Sequence, residues 1–82
     1  MKLLLFGPAR EAIDMSSVEI KKSCTTVCEL RQIVVEEFPE LEFVVNKSIF
    51  AVNNKLIPRT HETDSQVCEH DALVLVPPVS GG

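Results

Sequence analysis

Two short apolar runs, one near each end of the chain, constrain its fold more than any other feature. Residues 2–6 form the first run, which closes at Gly7-Pro8, and residues 72–76 form the second. Continuous apolar runs of this length, bounded by turn residues, are typical of strands buried on both faces. We therefore expect both runs to be strands at the centre of a sheet.

One amphipathic helix is predicted between these runs. Thr26 and Glu29 have the spacing of a capping box, and Pro39 ends the pattern that follows. The spacing predicts a helix over residues 27–38. Its apolar positions recur at helical intervals and are Val27, Leu30, Ile33, Val34 and Phe38.

The remaining elements are shorter. Asn53-Asn54 connects two apolar segments, residues 49–52 and 55–57, and predicts a tight hairpin because both asparagines tolerate positive φ. Residues 18–22 alternate weakly, which indicates a strand paired with the first run after a loop over residues 10–17. The other segments are residues 40–48, which allow a helical turn or a core plug, and residues 59–71, a polar loop.

This order has too few helices for a doubly wound sheet, so the helix should cross one face of a mixed sheet. With the two apolar end strands parallel at the centre, the arrangement is a β-grasp. We predict an α+β fold, a ubiquitin-like β-grasp roll with one main helix, formed by residues 1–76. Residues 77–82 should form a flexible C-terminal tail.

Size and charge narrow the possible functions. A chain of 82 residues forms one domain with a small core and no cleft between lobes. Its net charge of −4 repels polyphosphate and argues against nucleic acid or an anionic membrane as the main partner. No apolar run approaches the roughly 20 residues that span a bilayer, and the start is too short for a signal peptide. We therefore expect the protein to be located in the cytosol.

The cysteines and histidines indicate no catalytic or metal site. Three cysteines without a Cys-x-x-Cys pair predict reduced thiols, at least some of them small buried side chains. A zinc site from Cys68, His70 and His61 is conceivable, but neither spacing matches a paired knuckle. Neither His61 nor His70 has a neighbouring nucleophile or carboxylate at a catalytic spacing, so both are expected to be solvated.

The chain ends in Pro77-Pro78-Val79-Ser80-Gly81-Gly82, and this tail is the candidate functional element. Two glycines without Cβ atoms can enter a channel that side chains would block. The four residues after Pro78 reach about 13 Å at roughly 3.3 Å each. The terminal carboxylate is inert until ATP converts it to an acyl adenylate, after which a sulfur or amine nucleophile can displace AMP. An ordinary frayed terminus is the alternative.

Several segments together resemble the MoaD family, the small subunits of molybdopterin synthase. These segments are Leu5-Phe6, Arg10-Glu11, Ala51-Val52-Asn53, Asp71 and the tail from Pro77 to Gly82. The resemblance implies a sulfur carrier, with Gly81 and Gly82 as the reactive end. A zinc-containing, E1-like enzyme of the MoeB type would adenylate Gly82 with ATP, and persulfide sulfur would replace AMP. The thiocarboxylate would then donate sulfur to cyclic pyranopterin monophosphate.

The resemblance also implies partners. That sulfur transfer would occur inside a large subunit, MoaE, in a heterotetramer of two small and two large subunits, and the small subunit would bind no cofactor itself. The expected interface residues are Arg10, Leu56, Val76, Pro77, Pro78, Val79 and Ser80. Leu56 and Val76 could equally belong to the core.

The chain departs from the family pattern in three places. His70-Asp71 replaces a common Gly-Asp pair, Ile13-Asp14 lies where a glycine is frequent, and Val76 occupies a position that is usually bulky. These differences concern turn geometry and partner specificity. Two other functions stay open, a ThiS-like sulfur carrier for thiamine synthesis and a ubiquitin-like modifier joined to lysines of other proteins.

Overall fold

The computed structural model describes residues 1–23 and 25–77. The strands are β1 (Lys2–Leu5), β2 (Ser17–Glu19), β3 (Ile49–Val52), β4 (Lys55–Ile57) and β5 (Leu73–Val76). The α-helices are α1 (Pro8–Ile13), α2 (Val27–Glu37) and α3 (Glu42–Val45), and two 3₁₀ turns span Pro39–Leu41 and Arg59–His61.

The five strands form one mixed sheet in the order β2-β1-β5-β3-β4. The central pair, β1 and β5, is parallel, with Leu3 beside Leu73 and Leu5 beside Leu75. All the other neighbours are antiparallel. This confirms the predicted β-grasp topology, including the pairing of β2 with β1, although β2 is shorter than the predicted segment.

The core lies between the sheet and the helices. Leu3, Leu5, Leu73 and Leu75 are fully buried on this inner face, together with Val27, Leu30 and Val34 of α2. On the opposite, outer face, Leu4, Val74 and Val76 are only half-buried. The prediction that both end strands are buried on both faces is therefore wrong, because the helices of the described residues pack on the inner face.

Helix α2 begins as predicted. The Glu29 N–H donates to the Thr26 hydroxyl at 3.2 Å, and the Thr26 N–H donates to the Glu29 carboxylate at 3.2 Å. The Thr25 hydroxyl and N–H also donate to Glu29, and these hydrogen bonds lower the pKa of that carboxyl. The capping box therefore fixes the first turn of the helix.

Helix α1 corrects the predicted loop over residues 10–17 and the expectation of one helix. Pro8 occupies the first helical turn, where its missing N–H costs nothing and its fixed φ suits a helix. Asp14 ends α1 in the left-handed conformation, at φ 54°. Gly7-Pro8 therefore both ends a strand and begins a helix. For residues 40–48, left open above, the structure has the 3₁₀ turn and α3, with Leu41 and Val45 buried.

A buried ion pair joins the helix layer to the loop before β5. The Arg31 Nε donates to Glu62 at 3.0 and 3.1 Å, and Nη2 donates to the same carboxylate. The guanidinium also donates to the carbonyls of Val45 and Ser48 and lies 5.1 Å from the centre of the Phe50 ring. Three hydrogen-bonded partners and one aromatic ring thus compensate a charge that would be costly to bury alone.

No helix in residues 1–23 and 25–77 has the length and apolar character needed to cross a bilayer. The same residues contain no cluster of three or more His, Cys, Asp or Glu side chains that could hold a metal ion.

Candidate functional site

The tail leaves the domain at Val76 and Pro77, which we call the tail root. Pro77 is half-buried against the turn between β1 and α1, and a Cβ placed on Gly7 would lie 3.6 Å from its Cγ. Gly7 has φ +56°, which side-chain-bearing residues rarely adopt, and its carbonyl accepts from the Glu11 N–H at 3.1 Å. Glycine is therefore required at this turn by backbone conformation, not by lack of space.

The start of β3 holds the other side of the tail root. Ile49 is directly opposite Val76, and the neighbouring Ser48 is buried. The Ser48 hydroxyl donates to the Val44 carbonyl at 2.7 Å, and the Ser48 carbonyl accepts from Arg31. The tail root therefore lies between two fixed segments, which set the direction in which the tail leaves the domain.

The outer face of the sheet carries a continuous apolar row. Leu56 pairs with Ala51, and Ala51 pairs with Val74. Val74 in turn lies beside Leu4 on the neighbouring strand. Directly paired residues share one face of a sheet, so this row crosses four strands. Leu56 is 57% exposed, far more than a core leucine.

A second apolar row runs past the tail root. Ile49 pairs with Val76, and the parallel register of β1 with β5, continued by one residue, places Phe6 beside Val76. Phe6 is 49% exposed. An exposed apolar surface of this kind on a small domain is typical of a contact site for another protein.

A hydrogen-bonded clip fixes the chain where it enters β5. Asp71 accepts from the Cys68 N–H at 2.7 Å and from the Asn53 amide at 3.1 Å, and these bonds lower the pKa of its carboxyl. The Asn53 side chain also accepts from the Ala72 N–H at 2.9 Å. Asn53 and Asn54 both have positive φ, as the predicted tight hairpin requires.

The structure brings some of the predicted site residues together. Val76 and Pro77 form the tail root, and Leu56 lies on the same outer face two strands away. Arg10 is exposed on α1, three residues beyond Gly7, and within the described residues it forms no ion pair. Pro78, Val79, Ser80, Gly81 and Gly82 lie outside the described residues.

Phe6 was missed in the sequence reasoning. Its signal is its place in the first apolar run, where alternation puts it on the same face as Leu4. The described residues on this surface provide apolar contacts and hydrogen-bonded turns, which suit binding to another protein. We therefore assign any reaction to the tail and to a partner protein.

Comparison with known proteins agrees with the fold. The sequence model of the ThiS family matches residues 3–82. A molybdopterin synthase sulfur carrier subunit of Arabidopsis thaliana is 34% identical over 84 residues, covering 100% of this chain and 82% of the relative.

Two solved structures are also similar. The small archaeal modifier protein 1 of Haloferax volcanii has a TM-score of 0.76 at 23% identity, covering 99% of this chain and 97% of that one, and shows the fold alone. The complex of subunits 1 and 2 of the molybdopterin-converting factor of Helicobacter pylori 26695 includes a chain with a TM-score of 0.68 at 26% identity, covering 99% and 96%. The chain therefore belongs to the ThiS family, and its resemblance to the small subunits of molybdopterin synthase is confirmed.

Proposed function

We propose that this chain is the sulfur carrier subunit of a molybdopterin synthase. One observation carries the proposal: the apolar outer face ends at a fixed tail root, and the chain continues from there into a terminal diglycine. The name of the Arabidopsis relative and the two-subunit complex from Helicobacter pylori support the same assignment.

In this proposal the chemistry occurs at Gly82. Its carboxylate attacks the α-phosphate of ATP on an E1-like enzyme of the MoeB type, and pyrophosphate leaves. A persulfide sulfur then attacks the carbonyl carbon and AMP leaves. A second thiol cleaves the S–S bond, so that the chain ends in a thiocarboxylate. ATP is consumed by the activating enzyme, and the carrier needs no bound cofactor.

The outer face is the proposed docking surface for the large subunit. Leu56, Val76 and Phe6 are exposed or half-exposed there and would become buried against a MoaE-like partner. The tail, residues 77–82, would enter the partner's active site and give sulfur to cyclic pyranopterin monophosphate. Arg10, near the tail root, would contact the same partner. Two small and two large subunits, in the cytosol, complete the proposed assembly.

Gly81 is proposed to matter for its missing side chain. A channel that admits a thin strand should reject a Cβ close to the reacting carbonyl. The fold then presents the tail and the partner performs catalysis, so the small subunit is a sulfur donor and not an enzyme by itself.

Reconstitution with the activating enzyme, a persulfide donor and the large subunit tests the proposal. The parent chain should support molybdopterin formation, deletion of Gly82 should abolish both sulfur loading and product, and Gly81→Val should bind the large subunit without reacting. Lys21→Ala, at an exposed residue that belongs neither to the tail nor to the expected interface, is the control and should retain activity. Molybdopterin formation by the chain lacking Gly82 would refute the proposal, and normal sulfur transfer by Gly81→Val would refute the narrow channel.

A further inference from the structure

A second exposed apolar surface lies between α1 and α3, apart from the outer face. It is lined by Pro8, Phe43, Val44 and Lys47, and we call it the α1–α3 patch. Phe43 is 71% exposed, the highest value among the exposed large hydrophobic side chains of the described residues. The groove beside it has a volume of about 240 Å³, below the roughly 300–1,000 Å³ of small-molecule sites, so it suits a side chain of another protein.

Hydrogen bonds from outside the helix hold α3 in place and so fix the backbone position of Phe43. The Val45 carbonyl at the end of α3 accepts from the buried Arg31 guanidinium. The next carbonyl, that of Asn46, accepts from Arg59 at 2.7 Å. A side chain that is carried on a segment already held in place costs less conformational entropy to bind, which favours its use as a contact.

The α1–α3 patch adjoins the tail root. Gly7 lies against Pro77, and Pro8 of the patch follows Gly7 directly in the chain. On the other side of the same turn, Phe6 precedes Gly7 and belongs to the exposed apolar row of the outer face. The two apolar surfaces therefore lie on either side of the point from which the tail leaves the domain.

The length of the tail brings a partner close to both surfaces. The five residues after Pro77 span at most about 17 Å when fully extended, at roughly 3.3–3.6 Å per residue. A partner that encloses the terminus within that distance must lie against the domain around the tail root. The surface that it contacts should therefore include the α1–α3 patch as well as the outer face.

The charge of the patch indicates what the partner presents there. The Lys47 ammonium lies 4.1 Å from the centre of the Phe43 ring, so a cation is held against the exposed apolar side chain. An apolar socket with a neighbouring carboxylate is complementary to this pair. A second copy of the chain fits less well, because each copy carries a net charge of −4 and the copies repel each other.

We propose that the large subunit covers the α1–α3 patch in addition to the outer face, with Phe43 in an apolar socket and Lys47 beside a carboxylate of the partner. This inference rests on the proposed function, in which a large subunit takes the tail. It extends the contact to a helical surface whose residues are not among the interface residues expected from the sequence. The two surfaces then hold the carrier on both sides of the tail root, which fixes the direction in which the tail enters the partner.

Titration of the large subunit with carrier variants, followed by calorimetry, tests the inference. Phe43→Ala should weaken binding by about tenfold or more, and Phe43→Leu, which keeps an apolar side chain, should lose less. Lys47→Glu should slow association in stopped-flow measurements, and the difference from the parent chain should shrink at high salt. Lys21→Glu, the same charge reversal at an exposed lysine that lines neither surface, is the control and should change association much less.

Binding by Phe43→Ala that equals binding by the parent chain would overturn this inference alone. A parent chain that does not bind the large subunit would overturn the proposed function and this inference together. A carrier that sediments as a dimer, with Phe43→Ala sedimenting as a monomer, would assign the patch to a second copy and would also overturn the inference. Because Phe43 and Lys47 are exposed, their variants should fold normally, and urea denaturation verifies this directly.

Discussion

The inner and outer faces of β1 and β5 carry the same kind of side chain and differ in what covers them. Leu3, Leu5 and Leu75 point to the helices and are fully buried. Leu4 and Val74 alternate with them in sequence and are only half-buried on the outer face. An apolar sequence therefore does not decide by itself which face of a strand is buried, because the position of the helices decides it. The other face is the proposed docking surface for the large subunit.

The largest effect is expected on the inner side, at the buried ion pair between Arg31 and Glu62. Arg31→Met removes the guanidinium and leaves the Glu62 carboxylate buried without its main partner, which should cost about 3–5 kcal/mol in the free energy of unfolding. Urea denaturation followed by circular dichroism measures this. Arg59→Met is the matched control, because Arg59 is half-exposed and 3.7 Å from the same carboxylate. Its loss should cost less than about 1 kcal/mol. Equal costs for the two variants would contradict this account of the pair.

Truncation of one leucine on each face should distinguish a side chain that stabilises the fold from one that is available for binding a partner. Leu75→Ala opens a cavity in the core and should cost about 2–5 kcal/mol of unfolding free energy. Leu56→Ala removes an exposed side chain and should change that free energy by no more than about 0.5 kcal/mol. The same denaturation experiment measures both variants, and a large loss of stability in Leu56→Ala would show that the outer face belongs to the core.

A charge on the outer face should weaken binding of the large subunit. Val76→Asp and Leu56→Asp would each place an unpaired carboxylate in a desolvated contact, and every ~1.4 kcal/mol lost lowers affinity tenfold. We expect losses of about tenfold to a hundredfold by calorimetry. Lys55→Asp, on the same strand but the opposite face from Leu56, is the control and should have a smaller effect. Circular dichroism should show native folding, and undiminished binding by a folded Val76→Asp variant would place the docking surface elsewhere.

The smallest effect concerns the Asp71 clip. The pKa of Asp71 is held below its ordinary value of 3.8, chiefly by the Cys68 N–H. A carboxyl whose pKa is lower in the folded state than in the unfolded state stabilises the fold at any pH above its unfolded-state pKa. This stabilisation is lost as the pH falls through its folded-state pKa. Asp71→Asn removes this contribution. The decline in the urea midpoint as the medium is acidified below the ordinary value should therefore be shallower in Asp71→Asn, and an unchanged decline would contradict the assignment.

Much of the fold was predictable because its signals are local. The capping box at Thr26 and Glu29 located α2, and Asn53-Asn54 located the hairpin. Gly7-Pro8 was interpreted only as the end of a strand, so α1 was predicted to be a loop. The same dipeptide both follows β1 and begins α1. The pairing of Arg31 with Glu62, 31 residues apart, has no local signal and appears only when the fold is closed.

The candidate site was predictable in part. Val76 and Leu56 were expected at the partner interface, and the structure places them on one face of the sheet. Phe6 was not predicted to be exposed, because it belongs to an apolar run that was interpreted as a strand buried on both faces. Sequence alone shows that a run is continuously apolar, but it does not show which face of the strand the helices will cover.

The mass of the C-terminal peptide, taken from the chain isolated from its own cells, tests the central claim most directly. A sulfur carrier should yield a fraction of peptides heavier by the difference between one sulfur and one oxygen atom, and alkylation of a terminal thiocarboxylate should shift that fraction again. A terminus found only as the unmodified carboxylate, or joined through Gly82 to lysines of other proteins, would contradict the account.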